Sequence, residues 1–147
     1  MEHFPYALTR DQSDAFIDRI ERSFEQRGHG LWAVEVVGGA PFVGFVGLAY
    51  HDFPAHFTPA VEVGWRLARE HWGHGYASEG ARAALNFGFH ELGLAEIVSM
   101  TYRGNLRSIA VMERIGMSRD PEDDFEHPNL PPGHRLRPHV LYRAQRE

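Results

Sequence analysis

The chain contains no cysteine. That excludes disulfides, thiolate–zinc sites and a cysteine nucleophile, and it is compatible with a reducing cytosol. No apolar run approaches the roughly 18–20 residues of a membrane-spanning helix, and the polar N-terminal stretch has no signal-peptide pattern. Runs of basic residues are missing too, and with a formal net charge of −5 nonspecific nucleic-acid binding is disfavoured. These absences describe a soluble, cytoplasmic protein with no membrane or nucleic-acid partner. What is present is ordinary for a globular protein: 147 residues, 43% hydrophobic and 24% charged, enough for one domain over 1–147 with a sizeable core.

Thr9 and Gln12 have capping-box spacing, and Ala15, Phe16, Ile20 and Phe24 give the following run a helical apolar stripe that Gly28 ends. Leu31 to Val37 is rich in β-formers, Gly38-Gly39-Ala40-Pro41 supplies turn chemistry, and Phe42 to Tyr50 returns as the second strand of a hairpin. From Val61 to Leu67 the pattern alternates, with Val61, Val63, Trp65 and Leu67 on one face and Glu62, Gly64 and Arg66 on the other. Ala77, Ala81, Ala84, Leu85, Gly88 and Leu92 then trace a helix whose small residues predict close packing on a sheet. Ala95 to Thr101 reads as a strand and Asn105 to Ile115 as a helix, with Asn105 its cap and Gly116 its C′ residue. Residues 119–137, with four prolines, read as a long loop, and His139 to Arg143 as a terminal strand. The order predicts an α/β (α+β) domain with a mixed sheet.

The most informative segment is the strand ending at Leu67 and the turn His71-Trp72-Gly73-His74-Gly75-Tyr76-Ala77. A Gly-x-Gly pair that follows a strand and opens a helix aims backbone N–H groups and the positive helix end at one point. On spacing alone a phosphate cradle and a plain tight turn are both open. No Lys-Ser/Thr follows Gly75, which excludes a P-loop, and the third glycine of a dinucleotide fingerprint is missing.

Taken with Asn105-Leu106-Arg107-Ser108 and Met112-Glu113-Arg114-Ile115-Gly116-Met117, this segment resembles the GCN5-related N-acetyltransferase (GNAT) superfamily, closest to its ribosomal-protein N-terminal acetyltransferase-like (RimJ/RimL-type) branch. The resemblance implies a mixed, mostly antiparallel twisted sheet flanked by helices, with acetyl-CoA as co-substrate in a V-shaped opening between splayed central strands. It implies that Trp65, Arg66 and Leu67 meet the acetyl and pantetheine part. The turn His71, Trp72, Gly73, His74, Gly75, Tyr76 and Ala77 would hold the pyrophosphate, Asn105 would contact the pantetheine arm, and Ser108 would lie near the sulfur. The acceptor would be a primary amine, either a protein N-terminus or a small molecule.

Three departures from that pattern stand out. Glu70 replaces the Gln or Arg that often opens the family's loop. Met112 stands where many members carry a thiolate-protonating tyrosine, which leaves Ser108 or a water for that task. Met1-Glu2-His3-Phe4-Pro5 looks internal to the family fold, as though about 30 residues of strand and helix preceded it. A shortened fold would expose a sheet edge, which a homodimer partner could cover.

Direct transfer needs a base, an oxyanion donor and an acid. Glu62 is the candidate base, with a solvated or structural ion-pair role, for example with Arg66, as the competing reading. A backbone N–H near Trp65–Leu67 is the candidate oxyanion donor. Ser108 is the candidate acid, against the plain reading of a first-turn serine bonded to its own backbone. Of the ten histidines, His71/His74 and His127/His134/His139 lack zinc-helix spacing, so no metal is expected. His139 stands either beside the acceptor amine or packed in the sheet. Trp72 either covers the cofactor or serves the core, the role also expected of Trp32. The function read from these residues is acetyl transfer to an amine; the alternative is a catalytically silent acyl-CoA-binding or sensory module.

Overall fold

The computed structural model describes residues 9–39 and 42–146. The expectations placed on Met1–Pro5 and on Ala40 and Pro41 lie outside them. Helix α1 (Arg10–Arg27) begins at the expected capping box: the Gln12 N–H donates to the Thr9 hydroxyl and the Thr9 N–H to the Gln12 side chain, and Gly28 ends the helix at φ 75°. Strands β1 (Leu31–Val34) and β2 (Gly44–His51) form the predicted hairpin, each shorter at the turn end than the β-former run. Then follow β3 (Ala60–Leu67), α2 (Tyr76–His90), β4 (Glu96–Tyr102) and α3 (Leu106–Arg114), the last capped by Asn105 as expected.

One sequence expectation fails. Residues 119–137 are not simply loop: β5 (Ser118–Arg119) starts just ahead of them and β6 (Phe125–Glu126) lies within them, and both pair with β7 (Pro138–Gln145), itself longer than the predicted strand. Two-residue strands carry no periodicity to detect. They exist because β7 offers a pairing edge and because Arg143 holds Asp123 at 3.0 Å and Glu96 at 2.8 Å.

The sheet order is β1-β2-β3-β4-β7-β5, with β6 also on β7. Every pairing is antiparallel except β3–β4, where Glu62 faces Val98. One step on, the Ser99 hydroxyl rather than a backbone amide donates to the Val63 carbonyl at 2.9 Å, satisfying a buried acceptor where the ladder opens. The two strands then run apart toward Leu67 and Tyr102.

Helix α2 closes one face of the sheet. Ala81, Ala84 and Leu85 are buried with Val46, Leu48, Val63 and Ile97 in the core. A Cβ on Gly88 would sit 2.6 Å from the Ile97 side chain, so the small-residue stripe does seat the helix close to the sheet. Helix α1 crosses the β1 side, its Phe24 edge-on to Trp32 and its Phe16 edge-on to Phe45. No helix among the described residues is long and apolar enough to cross a membrane.

Candidate active site

Where β3 and β4 part, two cavities meet. One, of about 540 Å³, runs from the end of β3 over the glycine turn to α3; the other, of about 510 Å³, opens on the opposite side beneath the β2–β3 and β6–β7 segments. Trp65, Arg66, Asn105 and Ser108 line both.

The first cavity gathers most of the residues predicted to hold a cofactor: Leu67, His71, Trp72, Gly73, Gly75, Tyr76 and Ala77. His74 lies off its wall, exposed and stacked on Tyr76 at 5.3 Å. Glu70 is exposed in a 3₁₀ turn (Arg69–His71) and does not line the cavity, so its carboxylate does not oppose an anion there. Gly73 and Gly75 both have left-handed backbone, φ 83° and 79°, a conformation costing other residues about 1–2 kcal/mol. Gly75 is the N-cap of α2 and supplies no side-chain hydrogen bond to it. The first-turn amides therefore face the cavity without a side-chain competitor, as an anion cradle requires.

The positive charge around this cradle comes from α3. Arg114 donates to the Ser78 hydroxyl at 3.1 Å, and the Arg107 guanidinium lies 4.5 Å from the centre of the Trp72 ring; Arg107, Arg114 and Ser78 all line the cavity. Trp72 is thus a platform as well as a wall. Its N–H donates to the Leu67 carbonyl at 3.1 Å, and Arg69 also lies over its ring. The sequence reading missed Arg107 and Arg114 as site residues. The signal available was their four- and three-residue spacing along α3, which puts 107, 111 and 114 on one face. The chain has no lysine; all fifteen residues of the Lys/Arg class are arginine.

At the junction, the Trp65 indole N–H donates to the Ser108 hydroxyl at 3.2 Å, the Ser108 amide donates to the Asn105 side-chain oxygen, and the Asn105 NH₂ donates to Thr101. A serine hydroxyl that accepts from Trp65 still has its own hydrogen to give. Met112 is buried in the core below, 1% exposed.

The second cavity holds the titratable groups. Glu62 accepts from His51 Nε2 at 2.8 Å. Burial alone would lower the His51 pKa, but the Glu62 hydrogen bond and charge, with Asp52, outweigh it and hold the imidazole above its ordinary value. For the structural ion-pair role of Glu62, the partner recorded is His51 and not the Arg66 given as the example. Arg66, on the same face of β3, is lowered to about 10 by burial. His139 stands in the sheet opposite Tyr102, and it also lines the cavity. Its Nδ1 lies 2.9 Å from the Arg137 carbonyl; a carbonyl only accepts, so Nδ1 carries the hydrogen and Nε2 keeps its lone pair.

From the sequence, His127 is considered only as a metal ligand, a role that is set aside; it is not placed in this cavity. It stacks on Phe53 at 4.6 Å and meets His139 at 5.0 Å. Burial first, then the charges of His139, His51 and Arg137, lower it to about 4. A histidine depressed in the folded state is neutral there while the unfolded chain protonates near 6.5. Stability tied to His127 is therefore complete above about pH 6.5 and lost as pH falls toward 4. His139, also lowered by burial, acts in the same sense, and His51 in the opposite one. His127→Gln is expected to flatten the fall in melting temperature between pH 6.5 and 4.5. Scanning calorimetry giving parallel curves for variant and wild type would refute the assignment.

The GNAT acetyltransferase domain matches residues 1–118. Among curated relatives, the Bacillus subtilis protein YkkB is 32% identical over 117 residues, spanning 80% of this chain and 67% of YkkB. The FsC-acetyl coenzyme A-N(2)-transacetylase of Aspergillus fumigatus is 37% identical over 110 residues, spanning 72% of this chain but only 46% of that protein. Among solved structures, an acetyltransferase from Agrobacterium tumefaciens superposes with a TM-score of 0.74 at 27% identity, covering 97% of this chain and 75% of that one.

Proposed function

The chain belongs to the GNAT acetyltransferase family, and from that membership we propose that it transfers an acetyl group directly from acetyl-CoA to a primary amine. The observation that carries this reading is the meeting of the two cavities at Trp65, Asn105 and Ser108, where β3 and β4 part. One cavity has the anion cradle and guanidinium groups suited to the CoA phosphates; the other has the basic groups suited to an amine. A thioester laid through the cradle would bring its carbonyl to the opening, within reach of an amine from the far side. The motif order further supports a place in the ribosomal-protein N-terminal acetyltransferase-like branch.

In this reading Glu62, with His51, takes the proton of the incoming ammonium, directly or through water. The amine nitrogen attacks the thioester carbon, a C–N bond forms and the C–S bond breaks. The carbonyl oxygen passes through an oxyanion beside the backbone of β3 near Trp65–Leu67. The thiolate leaves toward Ser108, whose hydroxyl, oriented by Trp65, supplies its proton. No covalent acetyl-enzyme is needed, and the chain has no cysteine to form one.

Calorimetry with acetyl-CoA followed by a thiol-release assay over an amine panel tests the reading. Binding followed by turnover supports it; binding with no turnover on any amine would favour a silent acyl-CoA module instead. Ser108→Ala is expected to lower kcat about 10²-fold while leaving acetyl-CoA affinity nearly unchanged. A variant with wild-type kcat would transfer the acid role to a water.

A further inference from the structure

Building on the acetyltransferase reading, we infer that His127 and His139 select the acceptor: beside its amine, the acceptor carries a neutral group that both accepts and donates a hydrogen bond, a carboxamide or an alcohol. The two rings line the acceptor cavity with their centres 5.0 Å apart, and their tautomers are fixed in opposite senses.

The backbone sets those tautomers. At His127, the Asn129 backbone N–H donates to Nδ1 at 3.2 Å. A backbone amide nitrogen only donates, so Nδ1 is the bare nitrogen and Nε2 carries the hydrogen. At His139 the order is reversed: Nδ1 donates to the Arg137 carbonyl at 2.9 Å, and Nε2 keeps its lone pair. The same carbonyl accepts the His127 backbone N–H at 2.9 Å, so one residue ties both histidines. Ring contacts hold their planes, with His127 stacked on Phe53 at 4.6 Å and Phe125 5.5 Å from His139. Burial keeps both imidazoles neutral, the state in which each ring has one donor and one acceptor.

Both Nε2 atoms are open to a ligand. Among the described residues, the polar side-chain atom that is buried without a hydrogen-bond partner is Arg137 Nε. The hydrogen bonds of the His127 and His139 rings end at Nδ1, and both residues are half-buried. Each Nε2 therefore meets accessible space, and the cavity is the space that both rings line. Its wall presents an N–H beside a lone pair, with Glu62 near enough for its charge to act on both rings.

Such a pair discriminates by the hydrogens a ligand brings. A carboxamide or an alcohol satisfies both nitrogens. An ester or an ether accepts from His127 and has nothing to give His139. A carboxylate has the same defect and also meets the Glu62 charge; the Arg137 charge, which reaches His127 as well, does not supply the missing donor. An ammonium donates to His139 but offers His127 no acceptor. A polar group of the site left unpaired by the wrong ligand is the source of the rejection.

Pairs of amines that differ in one donor hydrogen test this at saturating acetyl-CoA: glycinamide against glycine methyl ester, and ethanolamine against 2-methoxyethylamine, each with its homologue one carbon longer. In at least one pair the amine with the donor is expected to have a kcat/KM higher by about fivefold or more, and that pair identifies the group as carboxamide or alcohol. His139→Phe should abolish the preference, whereas His127→Phe should slow both members together and leave it. A smaller preference in every pair would overturn the inference, as would a preference that survives His139→Phe or free glycine matching the best of these amines. Turnover of none of them by a protein that acetylates another amine would overturn the inference alone. No turnover of any amine, or failure to bind acetyl-CoA, would overturn the acetyltransferase reading with it. Long-range 1H–15N spectra of the free protein read the tautomers without turnover. At about pH 7.5, above the ordinary histidine value, His127 is expected as the Nε2–H form and His139 as the Nδ1–H form; any other combination would overturn the inference whatever becomes of the acetyltransferase reading.

Discussion

Gly75→Glu is expected to produce a folded protein whose affinity for acetyl-CoA falls at least 100-fold. The residue is the N-cap of α2 at φ 79°, and a Cβ there meets no atom within 4 Å. The backbone strain of a left-handed glutamate is about 1–2 kcal/mol. A carboxylate at a helix N-terminus returns about 0.3–1 kcal/mol of that. Stability therefore changes little, whereas the new negative charge takes the place proposed for the pyrophosphate and repels it. A loss of 100-fold corresponds to about 2.7 kcal/mol, a modest demand for a charge placed in direct competition. Gly75→Ala carries the strain without the charge and is expected to lose less than tenfold. If calorimetry finds the glutamate variant binding within threefold of wild type, the phosphates are held elsewhere.

The second large effect is expected at Glu62. Glu62→Gln keeps the shape of the side chain and removes its basicity. General-base assistance accounts for about 10²–10⁴ in rate, so kcat/KM for the amine should fall by at least 10²-fold while acetyl-CoA affinity stays within twofold. The pH profile gives the finer test. Glu62 is what raises His51 against the opposing effect of burial, so deprotonation of His51 in the wild type lies above the ordinary value near 6.5 and kcat/KM should rise with pH through it. In Glu62→Gln the stabilising charge is gone, and the midpoint of whatever activity remains should move to lower pH. His51→Gln and the double variant should each lose about as much as Glu62→Gln alone, because residues that act as a unit are not additive. A Glu62→Gln enzyme with more than a third of wild-type kcat/KM would mean that the amine loses its proton elsewhere, with the His139 Nε2 lone pair the next group to test.

How far the sequence foretold this site depends on how local each signal is. The glycine turn was legible because strand, turn and helix are consecutive, and the left-handed glycines at 73 and 75 announce themselves by residue type. Glu62 was legible because alternation along one strand assigns its face. His51 was within reach of the same logic: Ala49 lies opposite Glu62 across the β2–β3 pair, so His51 falls diagonally beside it on that face. The hairpin register had to be known first, and an eight-residue connection between the strands conceals it. His127 could not be found this way. It reaches the cavity because β6 pairs with β7 and the 52–59 loop packs its Phe53 ring against the imidazole, contacts that appear only when distant segments are brought together. The ion pairs of Arg143 that steady this region are equally nonlocal.

The arginines around the cofactor cavity have one more consequence. A thioester is an acylating agent toward any amine held beside it. A cradle built from lysine would be exposed to the reagent it binds, and each spontaneous acylation would erase a positive charge needed for the next molecule. Here no lysine is present, and the cationic side chains on the cavity wall include Arg66, Arg107 and Arg114, whose guanidinium groups stay protonated and unreactive at neutral pH. On the function proposed above, such a site would hold acetyl-CoA between turnovers without being consumed by it, and the acetyl group would be kept for the amine.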